Sequence, residues 1–148
     1  MTYNTPTEGT KSAILTEFTR STAQTLSSGD KLIFTSTRST GTSGVTISAS
    51  GDISLASGKQ YWAILSVDVS RSNTNAGFSF GFYDQGGVLL DAANGASQSS
   101  WAVGLAANNI SSTCQAVLLD TTQTYSIRAT IAAGTLITET PSLIVMEA

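Results

Sequence analysis

The strongest constraint on this sequence is the strict period-two alternation of residues 59–71, KQYWAILSVDVSR. Successive side chains of an extended backbone point to opposite faces. Tyr61, Ala63, Leu65, Val67 and Val69 therefore share one face, and Trp62, Ile64, Ser66, Asp68 and Ser70 share the other. The first face is expected to be core. Residues 76–84, AGFSFGFYD, alternate in the same way, with Phe78, Phe80 and Phe82 against Gly77, Ser79, Gly81 and Tyr83. Gln85-Gly86-Gly87 then leads into VLLD, which reads as a hairpin. Further strands are expected at 31–36, 44–49, 52–56, 99–105, 114–120, 123–131 and 141–147, with 12–18 as an extended edge strand. Ser28-Gly29-Asp30, Ser50-Gly51-Asp52, Ser57-Gly58 and Asn94-Gly95 supply turn residues between them. About ten short strands in 148 residues imply an all-β, single-domain antiparallel β-sandwich of jelly-roll type.

Residues 1–11 contain Pro6 and Gly9 and almost no apolar side chains, so they are expected to form a short flexible N-terminal arm. The sandwich domain then occupies 12–148. No stretch approaches the roughly 18 apolar residues of a membrane-spanning helix. The opening MTYNTPTEGTK lacks the basic patch and apolar core of a leader, so the chain is expected to be mature as it stands.

Composition removes whole classes of chemistry. There is no histidine, so the usual base of serine and cysteine hydrolases and the commonest metal ligand are missing. A single cysteine, Cys114, excludes an intrachain disulfide and any multi-cysteine metal site, and its place beside Ala116 and Leu118 reads as a packing thiol. Only 11% of residues are charged while 41% are hydrophobic, and neutral hydroxyls (22 Thr, 22 Ser) make up much of the polar share. The net charge is −3, and Lys11, Arg20, Lys31, Arg38, Lys59, Arg71 and Arg128 are dispersed along the chain, which argues against nucleic-acid binding. No phosphate-loop, nucleophile-elbow, dinucleotide or EF-hand pattern occurs, and no cofactor or metal is expected.

The remaining acids are weak catalytic candidates. Asp68, Asp84, Asp91 and Glu139 have no spacing that pairs them for glycoside hydrolysis. Asp84, Asp91 and Asp120 each end an apolar run, where aspartate caps a turn. Asn109-Ile110-Ser111 matches a glycosylation acceptor, a match of the kind chance supplies. No enzymatic activity is expected.

The aromatic stripe admits two readings. Phe78, Phe80 and Phe82 line the sandwich core, or, with Tyr125, they meet copies of themselves at a symmetry axis and form an oligomer interface. Trp62 and Trp101 anchor either a core or an interface.

The order SGDI at 50–53, SGKQYWAI at 57–64, FSF at 78–80, VLLD at 117–120 with YSI at 125–127, and the closing LIVM at 143–146 resembles the jelly roll of tumour-necrosis-factor-like and complement-globular-head-like domains. The resemblance spans about residues 31–147 and implies a compact homotrimer with both chain ends near one base. Within that architecture, the Thr/Ser/Gly/Ala-rich style and the short polar arm are similar to head decoration (cement) proteins and fibre head domains of tailed bacteriophages. That likeness implies a virion protein, made in the host cytoplasm and placed on the outer capsid surface. A trimer at a three-fold position would clamp neighbouring copies of the major capsid protein, modest contacts adding through effective concentration. In this reading Thr2, Tyr3, Asn4, Thr5 and Pro6 of the arm contact the shell. The alternative is a receptor- or glycan-binding fibre head, which would use Trp101, Asn108, Asn109 and Asp84 in loops.

Overall fold

The structure, a computed structural model, describes residues 15–40, 44–71, 78–90, 99–101, 111–119 and 123–148, with the backbone alone at 39–40, 71, 99–101 and 111–118. The described residues contain strands and no helix. In chain order the strands are β1 (Leu15–Thr19), β2 (Gln24–Leu26), β3 (Ser36–Thr40), β4 (Thr46–Ile47), β5 (Asp52–Ser54), β6 (Tyr61–Arg71), β7 (Phe78–Tyr83), β8 (Ser99–Trp101), β9 (Ser111–Leu119), β10 (Tyr125–Ile131), β11 (Leu136–Thr138) and β12 (Ser142–Glu147).

They form two antiparallel sheets. In the first, β6 is central: β9 flanks one edge, and β12 and β11 share the other. β1 and β2 pair outside β12 and β11, and β3 closes the sheet beside β1. The second sheet runs β4-β5-β10-β7-β8. Consecutive strands repeatedly cross between the sheets, the jelly-roll way of packing two sheets around one core.

β11 and β12 are one strand kinked by a bulge. Between the pairs Thr138↔Val69 and Ser142↔Ser66, residues 139–141 stand against only 67 and 68 of β6. Pro141, which has no N–H to give a ladder, occupies the bulge, and the Glu139 N–H reaches the Asp68 carbonyl at 2.9 Å. β1 and β2 kink at the same level. β2 and β11 match no strand expected from the sequence, and the expected strand at 88–91 is present, among the described residues, only as a bridge between Tyr83 and Leu89.

Alternation correctly placed the inward face of β6. Tyr61, Ala63, Leu65, Val67 and Val69 are fully buried, and they meet Phe80, Phe82, Ile127 and Ala129 of the second sheet in one hydrophobic core. The expected strand at 31–36 is displaced. Leu32 and Phe34 bury their side chains, but the regular strand begins only at Ser36.

The segment before β3 instead crosses from one sheet to the other along β10. Gly29 N–H donates to the Ala129 carbonyl (2.7 Å), Ala129 N–H to Asp30 (3.1 Å), and Leu32 N–H to Ile127 (2.8 Å). On the other side of this segment, the Gln24 side chain imitates a ladder partner, its Nε2 donating to the Lys31 carbonyl (3.0 Å) and its Oε1 accepting the Ile33 N–H (2.9 Å). Buried backbone groups demand such partners. Gly51 is required nearby: its φ is +85°, and a Cβ there would stand 2.9 Å from the Leu32 carbonyl oxygen.

Candidate functional site

The four aromatics expected at an oligomer interface do not lie on a surface. Phe78, Phe80, Phe82 and Tyr125 are at most 3% exposed, so the interface expectation for them is corrected to core. The physical reason is cross-sheet packing: β7 and β10 pair in register and turn these side chains toward β6. Phe78 and Phe80 also meet edge to face, with ring centroids 6.2 Å apart. The arm residues Thr2, Tyr3, Asn4, Thr5 and Pro6 lie outside the described residues, as do Asp91, Asn108, Asn109 and Asp120. Trp101 and Cys114 are described by backbone alone.

Among the described residues, apolar side chains gather on the outward face of the first sheet. Register puts Leu15, Met146 and Trp62 in one cross-strand row and Glu17, Ile144 and Ile64 in the next. Trp62 is 42% exposed, and Leu15, Ile64, Ile144 and Met146 are half-buried. The five form one apolar patch across three adjacent strands. Below it the face turns polar, through Ser66, Ser142 and Thr19 in the next row. Glu17 is held by Arg38 at 3.5 Å.

The bulge at 139–141 brings together two acids that sequence spacing left apart. Asp68 Oδ2 accepts from Thr140 Oγ1 (3.3 Å), and Glu139 Oε1 accepts from Ser70 Oγ (2.9 Å). Only the tertiary pairing of β11 with β6 makes them neighbours. Among the described residues no group of three or more acids or cysteines is arranged to hold a metal ion.

The outward face of the second sheet is hydroxyl-rich and charged. Asp52 takes an ion pair from Lys31 and hydrogen bonds from Ser50 Oγ (2.8 Å) and Ser48 Oγ (3.5 Å). The hydrogen bond from Lys31, then that from Ser50, holds its carboxyl below the usual carboxylate range. Arg128 lies over the Tyr83 ring, 5.3 Å from its centroid, and donates from Nε to Ser126 Oγ at 3.2 Å. Asp84 caps its own turn: Oδ1 accepts the Val88 N–H (2.8 Å) and the backbone carbonyl accepts the Gly87 N–H (3.0 Å). At the end of the sandwich Lys59 pairs with Glu147 at 2.7 Å, and that hydrogen bond raises the lysine above its ordinary value.

No family model matches the sequence, and no curated protein matches it. Solved structures do match. Eiger TNF from S. frugiperda superposes with a TM-score of 0.64 at 12% identity, covering 92% of this chain and 92% of that one. A carbohydrate binding module of Cellvibrio mixtus lichenase 5A, solved with cellotriose, covers 68% of this chain and 86% of its own at 10% identity, with a TM-score of only 0.36. At such identities likeness speaks for fold alone. The chain is an all-β antiparallel sandwich with the tumour-necrosis-factor-like jelly-roll fold.

Proposed function

We propose that this protein is a non-enzymatic structural module that assembles as a homotrimer through the outward face of its first sheet and decorates a viral capsid. The observation that carries the assembly is the apolar patch of Leu15, Trp62, Ile64, Ile144 and Met146 on a sheet face that turns polar in the next row. An apolar sheet face gains by being covered, and around a three-fold axis each of three copies lays its patch beside that of the next. The resemblance to tumour-necrosis-factor-like domains supports three copies. The capsid role rests on the Ser/Thr-rich, single-cysteine style of the sequence and on the clamp a trimer makes at a three-fold position.

Light scattering over a dilution series tests assembly: a mass three times 15.3 kDa that persists on dilution is expected. Co-sedimentation of that trimer with phage capsids stripped of their decoration protein tests the role. A stable monomer overturns the clamp. A stable trimer that stays in the supernatant overturns the capsid assignment and leaves the assembly standing.

A further inference from the structure

Arg128 stands on the outward face of the second sheet. β10 places it opposite Gly81 of β7 on one side and Lys31 on the other. Gly81 has no side chain to fill the space above β7, and the Tyr83 ring lies under the guanidinium there. Nε is taken by Ser126 Oγ, and that serine is 2% exposed, so the bond fixes the plane of the group against the sheet. A guanidinium carries five N–H donors in a rigid fork. One is used, and the four on Nη1 and Nη2 meet no acceptor among the described residues.

The nearby acids are already engaged. Asp52 is paired with Lys31, and Asp84 is turned into its own loop. No described carboxylate lies within 4.0 Å of Arg128. Gly87, at φ +78°, brings bare backbone beside the fork: a Cβ there would sit 3.7 Å from Nη1 and Nη2, so any longer side chain would crowd the two nitrogens. The arrangement is a preoriented, uncompensated, end-on fork whose geometry matches the two oxygens of a carboxylate.

Beside the fork are the hydroxyls of Tyr83, whose ring lies under the guanidinium, and of Thr130, 3.3 Å from each other. The exposed apolar side chain on this side is Val88, next to Gly87 and 63% exposed. A peptide would need an apolar groove or a free ladder, whereas scattered hydroxyls with one small apolar contact suit a sugar ring. We propose that Arg128 anchors a binding site for a carboxylate-bearing saccharide on the outward face of the second sheet, with Tyr83 and Ser126 positioning it and Gly87 leaving it open. This site is on the face opposite the apolar patch and does not depend on the oligomeric reading.

The test titrates the full chain with tri-galacturonic acid and with its fully methyl-esterified form, by calorimetry and by amide chemical shifts. The acid should bind and the ester should bind at least about 10-fold more weakly, since a charge-assisted pair contributes roughly that much or more. R128A should lose about 10- to 100-fold and R128K, which keeps the charge without the fork, should fall between. Light-scattering mass and melting temperature of both variants should match the parent chain, separating a lost ligand contact from lost folding or assembly. Equal binding of acid and ester, no binding of the acid, or unchanged affinity in R128A overturns the proposal. Tri-glutamate binding as tightly as the sugar with the same dependence on Arg128 overturns the saccharide assignment.

Discussion

The two sheets of this sandwich share one core and present opposite outward faces. The first turns Leu15, Trp62, Ile64, Ile144 and Met146 to the outside. The second turns out Lys31, Asp52, Arg128 and Thr130, with Lys31 paired to Asp52 and Arg128 bonded through Nε to the buried Ser126. Both patterns come from the same alternating strand grammar, so the contrast does not arise from secondary structure. It teaches that, among the described residues, one outward face carries apolar side chains and the other carries charges and hydroxyls. The inward faces are common property of the fold, while the outward faces carry whatever is particular to this chain.

The largest effect is expected where the two sheets agree. Phe80→Ala removes a fully buried ring between them and should cost about 3–5 kcal/mol. Chemical denaturation of the variant at several protein concentrations measures this, and a loss under about 1 kcal/mol would contradict the core placement.

The next effect separates the sheets. Ile64→Glu puts a charge at the centre of the apolar patch and should reduce the light-scattering mass from three chains to one while circular dichroism keeps its strand signature. The matched change on the second sheet, Thr130→Glu at an exposed position, should leave mass unaltered and stability within about 0.5 kcal/mol. Equal responses from both faces would erase the distinction.

The smallest effect belongs to the polar network. Asp52→Asn breaks the partly exposed pair with Lys31, a kind of interaction that contributes under about 1 kcal/mol. Because folding lowers the Asp52 carboxyl, its contribution is present above the ordinary carboxylate value of about 3.9 and is lost as pH falls through the lowered one. Unfolding curves of parent and variant should therefore differ at neutral pH and converge in acid. Curves that diverge further in acid would reverse the sign and remove the assigned role.

Most strands were legible because their periodicity is long enough to read. The eleven residues of β6 and the seven of β10 alternate without a break, and both lie where the pattern puts them. The three-residue strands β2 and β11 were not legible, since QTL carries a single apolar side chain and LIT puts two apolar residues side by side, so neither shows a period of two. Their pairing is decided by the bulge around Pro141 and by Gln24, whose side chain completes a ladder seven to nine residues away. The Trp62–Ile64 row was visible in sequence as the second face of β6, but sequence did not say whether a second face meets another layer or solvent.

The sequence by itself determined the fold class, the inward faces of β6, β7 and β10 and the absence of histidine and of an intrachain disulfide, because these depend on residue identity and a period of two. Only tertiary structure decided which faces stay outside. The phenylalanines of β7 became core because β10 and β6 close over them, and Leu15, Ile144 and Met146 became one patch with Trp62 because strands from both ends of the chain pair beside β6. Arg128 likewise gained its setting from Lys31, Tyr83 and Gly87, residues 41 or more positions away. Periodicity records how a strand divides its own side chains, whereas a surface is made by which strands the long-range pairing brings together.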